Sequence, residues 1–393
     1  MAAVTTLLCS SCRRSFPATE AIWSCPTCGS MLELQPDPHL LGPEGRSELL
    51  KAAKAGGGGR GVWRYASLMQ VDGSDPVTLG EGDTPVVPLG ALGRRLGLAR
   101  LYAKLEYFAP TGSFKDRGAT ATVTQARALG VTRLVEDSSG NAGASFAAYC
   151  AAAGVGASIY VPASAPAAKK AQIGFYGAEV VAVEGTREAV AEAALERCRR
   201  EEGAYYGSHN WNPFFLEGTK TFAYEVAAQF GFDPPEQLIM PVGNGSLFLG
   251  AWKGFRELRT MGLLERLPRL NVAQATGCMP IVDASIRGLD RTEGIPTYPT
   301  VAGGISIARP SRGHLILKGM RETGGSGAAV TDQEILDYQR ALASLEGIFC
   351  EPTSAAAFAA LAHLVRQGAI APEERVLVAV TGMGLKDTSV LSA

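Results

Sequence analysis

No run of about 18 or more apolar residues occurs in the chain, so the sequence offers no segment able to cross a bilayer as a helix. Charge of one sign is missing too: 37 basic residues face 38 acidic ones, and the two signs are interspersed. Without a basic stripe, neither nucleic acid nor anionic lipid is an expected partner, and a small molecule is. The opening MAAVTTLLCSSC lacks the charged start and the small-residue cleavage site of a secretion signal. A soluble, cytoplasmic protein with reduced thiols is therefore expected. No long-period repeat is visible. At 393 residues the chain exceeds one ordinary core, and two domains of similar size plus a small appendage are expected.

Four of the eight cysteines are clustered near the start. Cys9-Ser-Ser-Cys12 and Cys25-Pro-Thr-Cys28 form two C-x-x-C knuckles around a short stretch holding Phe16 and Trp23. That spacing suits four thiolates around one tetrahedral zinc. With all four ligands from cysteine no coordination position stays open, so the expected role is structural. A ribbon this small has little core, and the metal would supply most of its folding free energy. Residues 36 to 61 are rich in proline and glycine, end in Gly56-Gly-Gly-Gly59, and read as linker.

Beyond the linker the pattern becomes regular. Apolar runs at 133–136, 157–161, 179–183, 237–240, 270–273 and 375–380 read as strands. Helical segments at 141–153, 165–175 and 186–202 alternate with the first three, and Thr186 is a suitable N-cap with Glu188 behind it. Strands alternating with helices predict an α/β fold of parallel sheets with helices on both faces.

Three segments carry chemistry. Pro110-Thr-Gly-Ser-Phe-Lys115-Asp-Arg-Gly118 places a lysine between a turn and a helix start, where partial desolvation can lower its pKa enough for Schiff-base formation. Ser138-Ser-Gly-Asn-Ala142 follows a strand and precedes a helix, as an anion-binding helix N-terminus does, and suits a substrate carboxylate. Pro241-Val-Gly-Asn-Gly-Ser246 has the same context, and its glycines let the backbone approach a phosphate closely.

The order of these motifs resembles the threonine synthase branch of the pyridoxal-phosphate enzymes of fold type II. Gly80-Glu-Gly-Asp-Thr-Pro85, the Lys115 segment, Ser138 to Asn141, Glu217-Gly-Thr-Lys-Thr221, the loop at Gly243, Glu351-Pro-Thr-Ser354 and Thr381-Gly-Met-Gly-Leu-Lys-Asp387 carry the likeness, over roughly residues 60 to 388. The N-terminal cysteine ribbon also resembles one found in some members. The resemblance implies two parallel-sheet domains, a large one of 80–120 with 223–393 and a small one of 121–222, preceded by a zinc ribbon at 1–35 and a linker and extension at 36–79. It implies pyridoxal 5′-phosphate as cofactor and a homodimer. Lys115 would form the Schiff base and Asn141 would bond the cofactor's ring hydroxyl. Gly243, Asn244, Gly245 and Ser246 would hold its phosphate, and Thr381 would meet the ring nitrogen. A hydroxyl there leaves that nitrogen largely unprotonated, which suits elimination or replacement. Ser138, Ser139 and Ala142 would bind the substrate carboxylate.

Two positions depart from the pattern. Where threonine synthases resembling this chain carry a phosphate-gripping arginine, Phe215 stands, and Met383 replaces a histidine common in the Thr381 segment. An aromatic ring cannot substitute for a bidentate guanidinium on a phosphate dianion. Arg309 and Arg312 are the cations nominated in its place; His209, Trp211, Phe214 and Phe215 either shape the substrate pocket or fill a core. The activity implied is conversion of O-phosphohomoserine to threonine and phosphate. Its rivals are cysteate synthase-like replacement on O-phosphoserine with sulfite, and dehydration of serine or threonine. A regulatory scaffold without catalysis would show degraded motifs, whereas Lys115, Asn141 and the glycine loop are intact.

Overall fold

The computed structural model describes residues 5–55, 61–165 and 167–387. Its strands are β1 (Thr6–Cys9), β2 (Ser15–Pro17), β3 (Leu32–Leu34), β4 (Val86–Pro88), β5 (Arg100–Leu105), β6 (Arg133–Glu136), β7 (Gly156–Pro162), β8 (Glu179–Val183), β9 (Ala204–Tyr206), β10 (Gln237–Pro241), β11 (Arg269–Ala275), β12 (Gly327–Val330) and β13 (Arg375–Val380). The helices are α1 (Pro43–Lys54), α2 (Gly90–Leu96), α3 (Lys115–Ala128), α4 (Asn141–Ala153), α5 (Ala167–Phe175), α6 (Arg187–Arg200), α7 (Phe214–Gln229), α8 (Ser246–Thr260), α9 (Pro280–Ile286), α10 (Gly313–Thr323), α11 (Asp332–Glu346) and α12 (Pro352–Arg366). All six sequence-predicted strands are present, and α4 spans the residues its pattern predicts. Thr186 caps α6 by accepting from the Ala189 amide at 3.3 Å. One segment differs: Pro43–Lys54 is helical where composition reads as linker. Pro43 sits in the first turn, where its missing N–H costs nothing, and the good helix formers of Glu-Leu-Leu-Lys-Ala-Ala-Lys follow it. The tetraglycine Gly56–Gly59 lies outside the described residues.

The chain divides into two compact units, residues 1–82 with 115–221 and residues 83–114 with 222–393. The first holds a four-stranded parallel sheet in the order β8-β7-β6-β9 and a three-stranded antiparallel sheet, β2-β1-β3. Central β7 is buried almost throughout while edge β8 is half-exposed, the pattern expected when helices cover a parallel sheet. Its main core gathers Val123, Leu134, Phe146, Tyr149, Ile159 and Phe215. The second unit holds the sheet β12-β11-β10-β13-β5-β4, parallel except for β4, which runs antiparallel to β5. Helix α12 lies against β10, β11, β12 and β13 and is buried nearly all round. Its Ala355-Ala-Ala and Ala359-Ala stretches, all fully buried, let the helix backbone approach the strands closely.

Candidate active site

Lys115 is the first residue of α3. The turn before it is fixed inside the second unit: the Phe114 amide donates to the Thr381 carbonyl at 3.1 Å and the Met383 amide to the Gly112 carbonyl at 3.0 Å. The two residues after it are consumed structurally. Ser145 Oγ donates to Asp116 Oδ1 at 2.5 Å, and Arg117 donates to Thr221 Oγ1 at 3.1 Å; both Asp116 and Arg117 are fully buried. Lys115 itself is half-buried, its Nζ 5.7 Å from the centre of the Phe215 ring. Helix α3 comes so close to that ring that a Cβ on Gly118 would fall 2.4 Å from it, so glycine is needed here to admit the aromatic.

In the same unit β6 delivers the 138–142 loop to the start of α4. Gly140 is the N-cap and offers no side chain to cap the helix. Ser138 Oγ accepts from the Gly140 amide at 3.3 Å. Ser138 and Ala142 are buried; Ser139 and Asn141 are half-buried. Beside the loop, fully buried Glu136 pairs with His209, Oε1 to Nδ1 at 2.7 Å, and also accepts from the His209 amide at 3.2 Å. Burial pushes the Glu136 carboxyl up to about 7. Burial, aided by the charge of Lys115, holds the His209 imidazole well below its usual value. Below about pH 7 the pair therefore keeps its proton on the carboxyl, beside a neutral ring. No sequence signal marks Glu136, which reads only as the end of an apolar run.

Phe215 is fully buried, 6.0 Å from Phe146 and 5.9 Å from His209 between ring centres. Its neighbours among the candidate aromatics serve other cores: Phe214 packs on the cysteine ribbon, and Trp211 lies against the cluster of Val135, Tyr160 and Tyr206. The motif residues Glu217 and Lys220 form a buried ion pair at 2.8 Å, and each also ties the 62–72 segment down, Glu217 at the Gln70 amide and Lys220 at the Leu68 carbonyl.

In the second unit β10 leads through 241–245 into α8, and Gly245 is the N-cap. Gly245 has φ +78°, and a Cβ there would fall 2.4 Å from Ile316, so both backbone and packing demand glycine. Ser246 opens the helix and is buried, as Gly243 is; Asn244 is half-buried. Thr381, just past β13, is buried and meets Ser354 of α12, Oγ to Oγ1 at 2.9 Å. Arg312 is buried at the N-cap of α10, whereas Arg309 is exposed. The donor set fits pyridoxal 5′-phosphate: a helix N-terminus with glycines for the phosphate, and a buried hydroxyl for a ring nitrogen.

The cysteine cluster is assembled by β1, β3 and the 25–30 turn. All four sulfurs lie within 4.8 Å of one another, with Cys9 to Cys28 at 3.5 Å and Cys12 to Cys25 at 3.6 Å. Four Zn–S bonds of about 2.3 Å in a tetrahedron separate the sulfurs by about 3.8 Å, so the geometry fits one zinc. Around it, among the described residues, the ribbon buries Leu7, Ala18, Leu32 and Leu34 with Cys9 and Cys25, and Phe214 from α7 joins the cluster.

Residues 77–382 match the family model described as pyridoxal-phosphate dependent enzyme. The threonine synthase of Methanocaldococcus jannaschii is 38% identical over 384 residues, covering 96% of this chain and 92% of that protein. The threonine synthase of Methanosarcina acetivorans is 37% identical over 382 residues, covering 97% and 92%. Among solved structures, maize serine racemase superposes with a TM-score of 0.66 over 79% of this chain and 90% of that one, at 21% identity, a likeness of fold alone. With the family model spanning most of its length and curated relatives spanning nearly all of it, the chain belongs to the pyridoxal-phosphate dependent enzymes and is a threonine synthase-like lyase.

Proposed function

We propose that the enzyme converts O-phosphohomoserine and water to threonine and phosphate, with Lys115 as the residue that carries the cofactor. The observation that carries this reading is the 38% identity to a threonine synthase across 96% of the chain, with an intact lysine opening α3. Bound pyridoxal 5′-phosphate supplies the electron sink that lets bonds at the α carbon and beyond break and form. The uncapped start of α4, with Ser138, Ser139 and Ala142, holds the substrate carboxylate, and Asn141 bonds the cofactor's ring hydroxyl. Gly243, Asn244, Gly245 and Ser246 take the cofactor phosphate, and Thr381 faces the ring nitrogen. Lys115 Nζ moves protons between substrate carbons. In the net change Cβ gives up a proton, the Cγ–O bond breaks with loss of phosphate, Cγ gains a proton, and the hydroxyl of water adds to Cβ while its other proton goes to the released phosphate.

Phe215 favours one second reading. Burying a phosphate dianion beside a ring with no cation costs several kcal/mol, so either another cation meets the phosphate or the substrate has none. Buried Arg312 is the better candidate and exposed Arg309 the weaker. Purified enzyme incubated with O-phosphohomoserine, O-phosphoserine with sulfite, serine and threonine, followed by phosphate and keto-acid release, decides between them. For a phosphorylated substrate, Arg312→Ala lowers kcat/KM by the equivalent of roughly 2 to 5 kcal/mol and barely affects serine. If Arg309→Ala and Arg312→Ala each turn over every substrate as the parent does, and the parent prefers serine or threonine, a dehydratase replaces this reading.

A further inference from the structure

The start of α12 and the loop after β13 bring two buried hydroxyls together, and hydrogen-bond accounting decides which one donates. Ser354 Oγ accepts from the Thr381 amide and from the Gly382 amide, each at 3.0 Å. A serine oxygen has two lone pairs and one hydrogen. The two amides occupy the lone pairs, so the hydrogen in the 2.9 Å contact with Thr381 Oγ1 belongs to Ser354. Thr381 is the acceptor there, and its own hydroxyl hydrogen meets no acceptor among the described residues. Ser354 is fully buried and Thr381 is 3% exposed, so water is a poor substitute partner.

We propose that Ser354 is a positioning residue that fixes Thr381 as a hydrogen-bond donor to the cofactor's ring nitrogen, so that the site selects the unprotonated ring. The inference rests on the placement of Thr381 in the function proposed above. An unprotonated nitrogen offers the lone pair that the Thr381 hydrogen lacks. A protonated one would have to use the single lone pair left on Thr381, leaving its hydroxyl hydrogen buried and unmet. The charged groups around this loop do not supply an alternative. Glu351 lies against Gly382, where a Cβ would come 2.3 Å from its Oε1, and Lys386 Nζ donates to the Thr111 carbonyl at 2.6 Å; neither bonds the Thr381 hydroxyl.

The full chain reconstituted with cofactor labelled at the ring nitrogen with ¹⁵N tests this through the ¹⁵N chemical shift and the cofactor dissociation constant. Thr381→Ser should keep the parent shift. Thr381→Val and Ser354→Ala should each move the shift and weaken cofactor binding about tenfold, the scale of one lost buried hydrogen bond. The double variant should be no worse than Thr381→Val alone, because Ser354 acts on the ring through Thr381. If Thr381→Val moves the shift and Ser354→Ala does not, the positioning role is overturned while the assignment of Thr381 stands. If Thr381→Val leaves the shift unmoved, that assignment falls and the inference with it. Should Ser354→Ala fail to fold, Ser354→Cys keeps the side chain and weakens its bonds; an unmoved shift in that variant overturns the proposal equally.

Discussion

Lys104 and Lys115 stand close in sequence yet in opposite situations. Lys104, on β5, is fully buried, and its Nζ donates to the Thr84 carbonyl at 3.0 Å, Glu225 Oε2 at 3.1 Å and Gln229 Oε1 at 3.0 Å. An ammonium has three hydrogens, so each has an acceptor and the charge is locked in place. Lys115 is half-buried at a helix start, with an aromatic face 5.7 Å from its Nζ. An aromatic face attracts an ammonium through the ring quadrupole. A lysine held on three acceptors serves the fold, whereas Lys115 opens a helix beside an aromatic face, the position expected of a Schiff-base lysine.

The comparison breaks if the two lysines respond alike. Lys115→Ala should lower turnover by more than about 1,000-fold, beyond a single lost acid or base, and abolish the visible absorbance of bound cofactor. Its stability should stay within about 0.5 kcal/mol of the parent in a urea titration of the cofactor-free protein. Parent-like turnover with an unchanged spectrum would remove Lys115 from the chemistry. Lys104→Met should do the reverse: it leaves Glu225 buried without its cation and should cost roughly 3 to 5 kcal/mol of stability. A variant as stable as the parent would mean the pair is dispensable.

The ribbon extends the same contrast to sulfur. Chelation should release one metal ion per chain and speed amide hydrogen exchange across residues 6–34, while the cofactor absorbance persists. Finding no metal in carefully prepared protein would end the ribbon assignment.

The smallest effects are expected at Glu136 and His209. In the native protein the pair holds its proton on Glu136, raised from 4.5 to about 7; in the unfolded chain between pH 4.5 and 6.5 it sits on His209. One proton is bound either way, so the pair adds little pH dependence in that window. Glu136→Gln leaves a depressed histidine, and stability should then rise with pH up to about 6.5. His209→Gln leaves a raised carboxyl, whose stabilisation is full below about 4.5 and lost as pH rises towards 7. Slopes of up to about 1.4 kcal/mol per pH unit, opposite in sign, should appear in urea midpoints measured across pH 4.5 to 7. Slopes of the same sign would refute the shared proton.

Much of this was readable without coordinates, because it is local. The apolar runs at 179–183 and 375–380 are strands β8 and β13 with the same bounds, and Gly140 and Gly245 stand at helix starts where a strand–glycine–helix pattern puts them. Each C-x-x-C knuckle sets two thiols three residues apart in the sequence, and the fold of the small sheet then brings Cys9 to Cys28 and Cys12 to Cys25. Helix α1 is masked in the sequence because prolines and glycines flank the helix-forming residues after Pro43.

What the chain order alone determined, then, is the alternation of strands and helices and the residue types at their junctions, since propensity and turn geometry act within a few residues. Tertiary structure alone decided which distant polar groups satisfy one another. Ser354 and Thr381 are 27 positions apart, Glu136 and His209 are 73 apart, and Lys104 and Glu225 are 121 apart. Phe215 became a core ring only through Gly118 and Phe146 arriving from other helices. A hydrogen bond is a short-range, directional interaction between atoms that folding brings together, so its partners are fixed by packing and not by nearness in sequence.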